Sequence, residues 1–379
     1  MKMIMRWFGE KHDVVSLRHI RQIPGVTGVA TSLMDKVAGE EWTAQEISQL
    51  RSQINDAGLE MNVIESVNVH DDIKLGAPDR DLYIGRYIKT LRSLGEQGVR
   101  VVCYNFMPMF DWMRTHLNYQ LPDGSNSMAY IRKDYEALGK PENLLHRLRE
   151  AGNGFSLPGW EPERLGDIAH LFSQYEGITT EVLHQHLKYF LDCIMPTCKK
   201  FDIAMAIHPD DPPWPIFGLP RVFASMEHAK KILTLNKSKH NALTLCTGSL
   251  GVNAKNDIPS IIRMVGDRIA FAHVRNFKRF NTDNFYESAH PSEEGSLDMY
   301  EIMKALHETA PDCYIRPDHG RMIWDEQARA GYGLYDRALG ITYLLGLWEA
   351  LEKAENADVY PNEIRNRNKH TRMMRVSAM

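Results

Sequence analysis

Four side chains of the kinds that bind transition metals stand at the ends of four successive apolar segments. They are His208, Cys246, His273 and Asp318. Imidazole, thiolate and carboxylate groups are donors that divalent transition metals take in proteins. The thiolate by itself favours zinc or iron over manganese, which prefers oxygen donors. If the four segments are neighbouring strands of one sheet, these side chains can converge on a single ion.

The positions of these residues depend on eight short apolar segments that recur along the chain. Each segment is followed by a stretch long enough for a helix, which predicts parallel strands joined by right-handed crossovers. Eight such units predict an α/β fold, a closed (β/α)8 TIM barrel whose carboxyl-end rim binds ligands. The predicted strands are 3–9, 25–33, 59–67, 99–106, 201–209, 241–249, 267–276 and 312–320.

Three of the predicted helices have clear boundaries in the sequence. The first spans 43–58 and opens with a capping box. The second spans 179–195 with an apolar stripe on one face, and Pro196 predicts its end. The third, 334–353, completes the eighth unit of the barrel.

One connection is much longer than the others. It spans 107–178, between the fourth strand and its helix, and mixes aromatic residues with Pro, Asp and Gly. Long insertions in barrels lie in the loops at the ligand-binding rim, so we expect an ordered lid. We interpret 1–353 as one barrel domain that includes this insertion. The remaining segment, 354–379, is a basic tail that is solvated or packs against another subunit.

The composition excludes several classes of protein. The 379 residues are 43% hydrophobic and 25% charged, which is enough apolar material for a large core. A net charge of -4 gives no broad attraction to nucleic acid, so we expect no such partner. We expect no membrane partner and a cytoplasmic location, because no apolar run reaches the length of a transmembrane helix or signal peptide core. Five cysteines, an odd number, argue against a disulfide framework.

Ten sequence motifs cover nearly the whole chain. They are MRWFGE (5–10), VIESV (63–67), VVCYNFMPMFDWMRT (101–115), LPDGS (121–125), LPGWE (157–161), HPDDPPWPIFGLPR (208–221), LTLCTGSLG (243–251), HVRN (273–276), RPDHGRMIW (316–324) and GYGLYDRALG (331–340). Together they closely resemble the mannonate dehydratase family, one of the xylose-isomerase-like barrels. The pair HPDDPP and RPDHG is far more specific than any single short motif.

The resemblance implies dehydration of D-mannonate to 2-dehydro-3-deoxy-D-gluconate in hexuronate catabolism, with Mn2+ or Fe2+ as the cofactor. The partner would then be a small sugar acid, and we also expect a homo-oligomer. Position by position, the residues similar to the family's metal ligands are His208, Cys246, His273 and Asp318. His319 and Tyr332 are similar to its catalytic residues.

The predicted reaction needs a base for the C2 proton, an acid for the C3 hydroxyl and a cationic pocket. Near a cation, Tyr332 as a phenolate can be the base and His319 the acid, or the two roles can be exchanged. Arg275 projects to the same side of its strand as a predicted histidine ligand, and Arg321 follows the RPDHG motif. Either can bind the substrate carboxylate. Asn105, near the end of the fourth strand, is a candidate ligand for a hydroxyl.

Three other functions fit parts of this pattern. A metal-dependent sugar isomerase or epimerase on the same barrel would share the metal, but such enzymes usually present mostly carboxylates and a catalytic lysine. A metal-dependent endonuclease would need a basic groove, which the net charge of -4 disfavours. A barrel that only binds a sugar acid would have no use for His319 and Tyr332 beside a complete set of ligands.

Overall fold

The structure is a computed structural model that describes residues 1–110, 112–143, 168–281 and 283–359. Twelve strands lie within these ranges. In chain order they are β1 (Lys2–Arg6), β2 (Gly28–Thr31), β3 (Glu60–Glu65), β4 (Val101–Tyr104), β5 (His116–Gln120), β6 (Asn126–Tyr130), β7 (Ala204–Ile207), β8 (Asn241–Cys246), β9 (Ile269–His273), β10 (Phe277–Asn281), β11 (Asn284–Glu287) and β12 (Tyr314–Arg316).

Twelve α-helices lie within the same ranges. They are α1 (Leu17–Arg21), α2 (Ala44–Asp56), α3 (Asp71–Leu75), α4 (Arg80–Glu96), α5 (Arg132–Leu138), α6 (Ile168–Gln174), α7 (Thr180–Phe201), α8 (Met226–Leu235), α9 (Thr247–Gly251), α10 (Ile258–Val265), α11 (Met299–Thr309) and α12 (Tyr335–Val359). Among these described helices, none combines the length and the apolar character that crossing a bilayer requires.

Eight of the strands form a closed parallel barrel in the order β1-β12-β9-β8-β7-β4-β3-β2. The predicted (β/α)8 barrel is therefore confirmed, with strands shorter than the apolar segments that contain them. Its interior is filled by alternate residues of the strands, including Ile4, Val63, Phe271 and Tyr314. Because side chains alternate along a strand, the residues two positions further along point the same way, into the mouth of the barrel.

The helix boundaries follow the sequence signals at α2 but not at α7. At α2 the capping box forms: Thr43 Oγ1 accepts from the Glu46 amide at 3.3 Å, and Glu46 Oε2 accepts from the Thr43 amide at 2.9 Å. The prediction that Pro196 ends the next long helix is wrong, because α7 continues to Phe201. Its last turn buries Cys198, and this packing outweighs the hydrogen bond that the proline cannot donate.

The carboxyl end of the chain is more helical than predicted. Helix α12 was expected to end at 353 but runs to Val359, so the first residues of the predicted basic tail are helical. The rest of that tail, 360–379, lies outside the described residues.

A second sheet that the sequence did not predict joins two loops at the carboxyl end of the barrel. It is antiparallel, in the order β10-β11-β6-β5. The β5–β6 hairpin belongs to the insertion 107–178, and the β10–β11 hairpin follows barrel strand β9. The described hairpin of the insertion is thus held by a second hairpin that comes much later in the sequence. Its segment 144–167, which includes the LPGWE motif, lies outside the described residues.

Candidate metal centre and active site

The strand ends of the second half of the barrel place the candidate ligands side by side. Cys246, His273 and Arg316 are the last residues of β8, β9 and β12, and they are partners in register. Neighbouring strands are about 4.8 Å apart, so these side chains can touch. Phe271 and Tyr314, two residues earlier on β9 and β12, fill the barrel interior. His273 and Arg316 therefore point into the mouth of the barrel.

Three of the four predicted metal ligands form a compact group. The donor atoms of His208, Cys246 and His273 all lie within 4.8 Å of one another. His208 Nε2 and His273 Nδ1 are 3.1 Å apart. The fourth, Asp318, lies beside this group: its Oδ2 is 3.4 Å from Cys246 Sγ and its Oδ1 is 3.9 Å from His273 Nδ1. The structure therefore brings the four predicted ligands together at one side of the rim.

The protonation states of this group suit a divalent cation. Burial lowers the pKa of His273 well below its ordinary value, so its imidazole is neutral and can coordinate a metal. Burial acts to raise the pKa of Asp318, but His319, Arg316 and Arg275 outweigh it and hold that pKa well below the ordinary value. Burial raises the pKa of the Cys246 thiol to about 12. A bound cation would favour loss of the thiol proton, because metal binding and thiol deprotonation are coupled.

A second set of donors adjoins the first but fits a metal less well. Atoms of Glu65, Cys103 and His273 also lie within 4.8 Å of one another. It shares His273 with the first group and has one imidazole where the first group has two. Its Glu65 Oε1 also accepts from Arg316 Nη2 at 2.6 Å. The first group, with two imidazoles and a thiol, better matches the donors that divalent transition metals take, so the described donors support such a site.

The backbone at the end of β12 turns sharply to aim Asp318. Its φ of +60° lies in the left-handed region, which costs a non-glycine residue free energy and is concentrated at functional sites. Two guanidiniums hold the resulting carboxylate. Arg316 Nη1 lies 2.7 Å from Oδ1, and Arg275 Nε donates to Oδ2 at 2.6 Å.

The two predicted catalytic residues are in direct contact. His319 Nε2 lies 2.9 Å from Tyr332 Oη, and both side chains line the same cavity as His208 and Asp318. Burial raises the pKa of the Tyr332 phenol, although Arg316 acts in the opposite direction. The surroundings thus favour a protonated phenol over the phenolate expected for a base. Of the predicted substrate ligands, Asn105 also lines this cavity.

Arg275 does not line the cavity, and its surroundings differ from those predicted for a substrate ligand. The side chain is fully buried, and each of its three nitrogen atoms faces a carboxylate. Nε donates to Asp318, Nη2 donates to Asp211 at 2.9 Å, and Nη1 donates to Glu287. Arg275 therefore orients Asp318, because its donors are directed at protein carboxylates and not at the cavity.

Arg321 also lies away from the cavity, contrary to its predicted contact with substrate. Its Nη2 donates to Asp336 at 2.9 Å, and its Nη1 donates to Asp123 at 2.8 Å. Asp123 lies in the turn between β5 and β6, whereas Asp336 belongs to α12. Arg321 thus connects the hairpin of the insertion to the barrel.

Several residues at the site were missed by sequence reasoning. Arg6 and Glu65 end β1 and β3 and line the cavity, so the strand-end rule that finds the metal ligands also applies to them. Glu287 ends β11 of the second sheet, and Arg114 lies two residues before β5. No local sequence pattern indicates the role of either residue. Arg114 donates to Asp211 at 2.7 Å and to Glu287 at 2.7 Å, in a fully buried network.

Substitution of Glu287 by Gln should destabilise the protein markedly. Burial acts to raise the pKa of Glu287, but Arg275 and Arg114 lower it, to about 2. Removing one partner of a buried ion pair costs about 3–5 kcal/mol, because the remaining charge is left uncompensated. We expect a loss of this order in the free energy of unfolding, measured by denaturation with urea at pH 7.

The pH dependence gives a second check on the Glu287 prediction. A carboxyl whose folded pKa is below its ordinary value of 4.5 stabilises the fold above that pH. The contribution is lost as the pH falls from about 4.5 towards 2. The Glu287→Gln variant should therefore lose less stability than the parent across this window. Equal stability of the two proteins at pH 7 would contradict the prediction.

Comparisons with known proteins agree over nearly the full length of the chain. A family model described as D-mannonate dehydratase (UxuA) matches residues 1–358. The mannonate dehydratase of Thermotoga neapolitana is 54% identical over 355 residues, covering 93% of this chain and 98% of the relative. That of Geobacillus thermodenitrificans is 53% identical over 354 residues, covering 93% and 95%.

Solved structures give the same result for the fold. The crystal structure of mannonate dehydratase from Streptococcus suis serotype 2 is 40% identical with a TM-score of 0.84, and covers 94% of this chain and 96% of that chain. A 3-keto-D-glucoside 4-epimerase from E. coli is 13% identical with a TM-score of 0.52, covering 91% and 99%, and shares the fold alone. On sequence, fold and full-length coverage together, the chain belongs to the D-mannonate dehydratase (UxuA) family.

Proposed function

We propose that the chain catalyses the reaction for which its family is named, as a hydro-lyase acting at the cavity described above. Water is eliminated from D-mannonate to give 2-dehydro-3-deoxy-D-gluconate. The observation that carries this proposal is the pair of His319 and Tyr332, 2.9 Å apart, beside four clustered metal donors. Two groups able to move protons next to a cation site are what an elimination from a sugar acid requires.

The divalent cation would be held by His208, Cys246, His273 and Asp318, and we propose Mn2+ or Fe2+. When bound, the metal supplies a positive charge that stabilises the negative charge developing as the C2 proton leaves. The chain itself supplies neutral imidazoles and an ionised carboxylate, both set by their surroundings.

The pair of His319 and Tyr332 carries out both proton transfers. One member accepts the proton from C2, and the other donates a proton to the C3 hydroxyl, which leaves as water. The resulting enol then becomes the 2-keto acid. Because the two side chains are hydrogen bonded to each other, a proton can pass between them and restore the starting state after each turnover.

The charges around the cavity favour an anionic substrate over a neutral sugar. The three acids that line it, Glu65, Asp211 and Asp318, are each paired with an arginine, so they do not repel an anion. A divalent cation with one thiolate then leaves a single positive charge. A sugar acid with one carboxylate neutralises that charge, whereas the neutral substrate of an isomerase or epimerase would not.

Several further properties are part of this proposal. We propose that the enzyme acts in hexuronate catabolism in the cytoplasm, as a homo-oligomer. Its partner is the small sugar acid, with neither nucleic acid nor membrane involved. We propose a single barrel domain with the insertion 107–178 as its lid, which is supported in the described part of the insertion by the β5–β6 hairpin, fixed to β11 and to Arg321.

The direct test is incubation of the purified protein with D-mannonate and either Mn2+ or Fe2+, with and without a chelator. We expect the 2-keto acid to form only when metal is available. D-fructose and D-tagatose, as neutral sugars, should give no product. Absence of keto acid with both metals, or isomerisation of a neutral sugar instead, would contradict the proposed function.

A further inference from the structure

One cation in the cavity wall has no acidic partner. Arg6 ends β1 and lines the cavity, and its side chain is 4% exposed. Among the described residues, no carboxylate oxygen lies within 4.0 Å of its guanidinium nitrogens. A buried charge without a partner is costly, and a bound anion would supply the missing opposite charge.

The acids that line the same cavity already have other partners. Glu65 pairs with Arg316 at 2.6 Å, and Arg316 also contacts Asp318 at 2.7 Å. Asp211 is held by Arg114 at 2.7 Å from outside the cavity. Of the arginines that line the cavity, Arg6 is therefore the one without a carboxylate partner among the described residues. Its positive charge is available to an anion in the cavity.

Neutral groups hold the Arg6 guanidinium in place. Nη1 donates to the backbone carbonyls of Trp7 at 2.8 Å and Ala30 at 3.2 Å. The guanidinium carbon lies 4.2 Å from the ring centre of Phe8. Nη2 makes only longer contacts, to Ser32 Oγ at 3.3 Å and to a methionine sulfur at 3.8 Å. The guanidinium is thus fixed on one edge, and Nη2 remains open to a stronger acceptor.

Arg6 and Tyr332 of the proton-transfer pair both contact the ring of Phe8. The Phe8 ring that packs under Arg6 also contacts the Tyr332 ring edge to face, with centroids 4.8 Å apart. A group bound to Arg6 therefore lies on the Tyr332 side of the cavity. Both sites are at the barrel mouth, because Arg6 ends a strand and Tyr332 belongs to the loop before α12.

We infer that Arg6 binds the carboxylate of the substrate and makes the site selective for sugar acids. This inference rests on the proposed function, because it concerns the substrate of that reaction. A guanidinium and a carboxylate form charge-assisted hydrogen bonds, which the neutral end of an alditol or aldose cannot make. Arg6 supplies the substrate contact that was predicted for Arg275 and Arg321.

The test compares Arg6→Gln and Arg6→Lys with the parent, using metal-loaded protein and D-mannonate. We expect KM to rise about tenfold to a hundredfold in Arg6→Gln, because a charge-assisted contact is lost. In Arg6→Lys the positive charge remains without the planar fork, so KM should rise by a smaller factor. Inhibition by the keto-acid product should weaken in the same order, and metal content should stay at the parent level.

The control is Arg18→Gln, which removes the same charge from an exposed position on α1. Its KM should equal that of the parent. A rise in KM below fivefold in Arg6→Gln would overturn the inference, and so would an equal rise in the Gln and Lys variants. If Arg6→Gln does not fold, an unchanged KM in Arg6→Lys is the overturning result. Failure of the parent protein to dehydrate D-mannonate would instead refute the proposed function.

Discussion

Tyr332→Phe is expected to lower kcat by about 10²- to 10⁴-fold, the range by which a positioned acid or base contributes. The substitution removes the phenol oxygen that lies 2.9 Å from His319 Nε2 and leaves the ring in place. The ring contact with Phe8 is kept, so the fold should be preserved. Metal content, measured by elemental analysis, and substrate affinity should remain near those of the parent.

Hydrogen exchange distinguishes the two possible roles of Tyr332. In D2O, a variant that lacks only the acid can still exchange the C2 hydrogen of D-mannonate without eliminating water. A variant that lacks the base can do neither. Tyr335→Phe is the matched control, because Tyr335 is exposed and does not line the cavity. Turnover of Tyr332→Phe at the parental rate would show that the phenol takes no part in the reaction.

Cys246→Ala is expected to weaken metal binding by more than the 10- to 100-fold that loss of an outer partner of a metal ligand costs. The thiol is one of three donors that lie within 4.8 Å of one another, and no other sulfur belongs to that group. Activity at limiting metal should fall by the same factor and recover in part at high metal concentration. Titration with Mn2+ or Fe2+, followed by calorimetry, measures the change in affinity.

A second cysteine provides the control for the metal prediction. Cys313 is also buried but stands just before β12, at the opposite end of that strand from Asp318. Cys313→Ala should lose some stability while binding metal as the parent does. If Cys246→Ala bound metal with parental affinity, Cys246 would not be a ligand.

The sequence predicts the barrel and the metal group because both depend on local patterns. Alternation along a strand and the common rim of parallel strands are enough to place His208, Cys246 and His273 together. The roles of the arginines could not be predicted in this way. Arg275 points to the rim as expected, but whether its donors face a substrate or a protein carboxylate depends on Asp211 and Glu287, which are distant in sequence.

The second sheet was missed for the same physical reason. Its pairing of β6 with β11 brings Tyr130 opposite Phe285, across several barrel units of intervening sequence. The sequence of neither hairpin indicates which strand it will pair with, because strand pairing depends on contacts between residues distant in sequence. The error at Pro196 is of a different kind, since there a local rule was overridden by packing of the last helical turn.

The sheet shared by the two hairpins has a consequence for synthesis on the ribosome. The β5–β6 hairpin is made long before 277–287, so for that interval it has a bare edge of unsatisfied amides and carbonyls. Arg114 likewise lacks Glu287, one of its two carboxylate partners, until the later hairpin emerges. A nascent chain halted before that point would contain most of the barrel strands. It would lack the β10–β11 hairpin and the buried carboxylate of Glu287. Such a chain should be inert and prone to association through the bare edge.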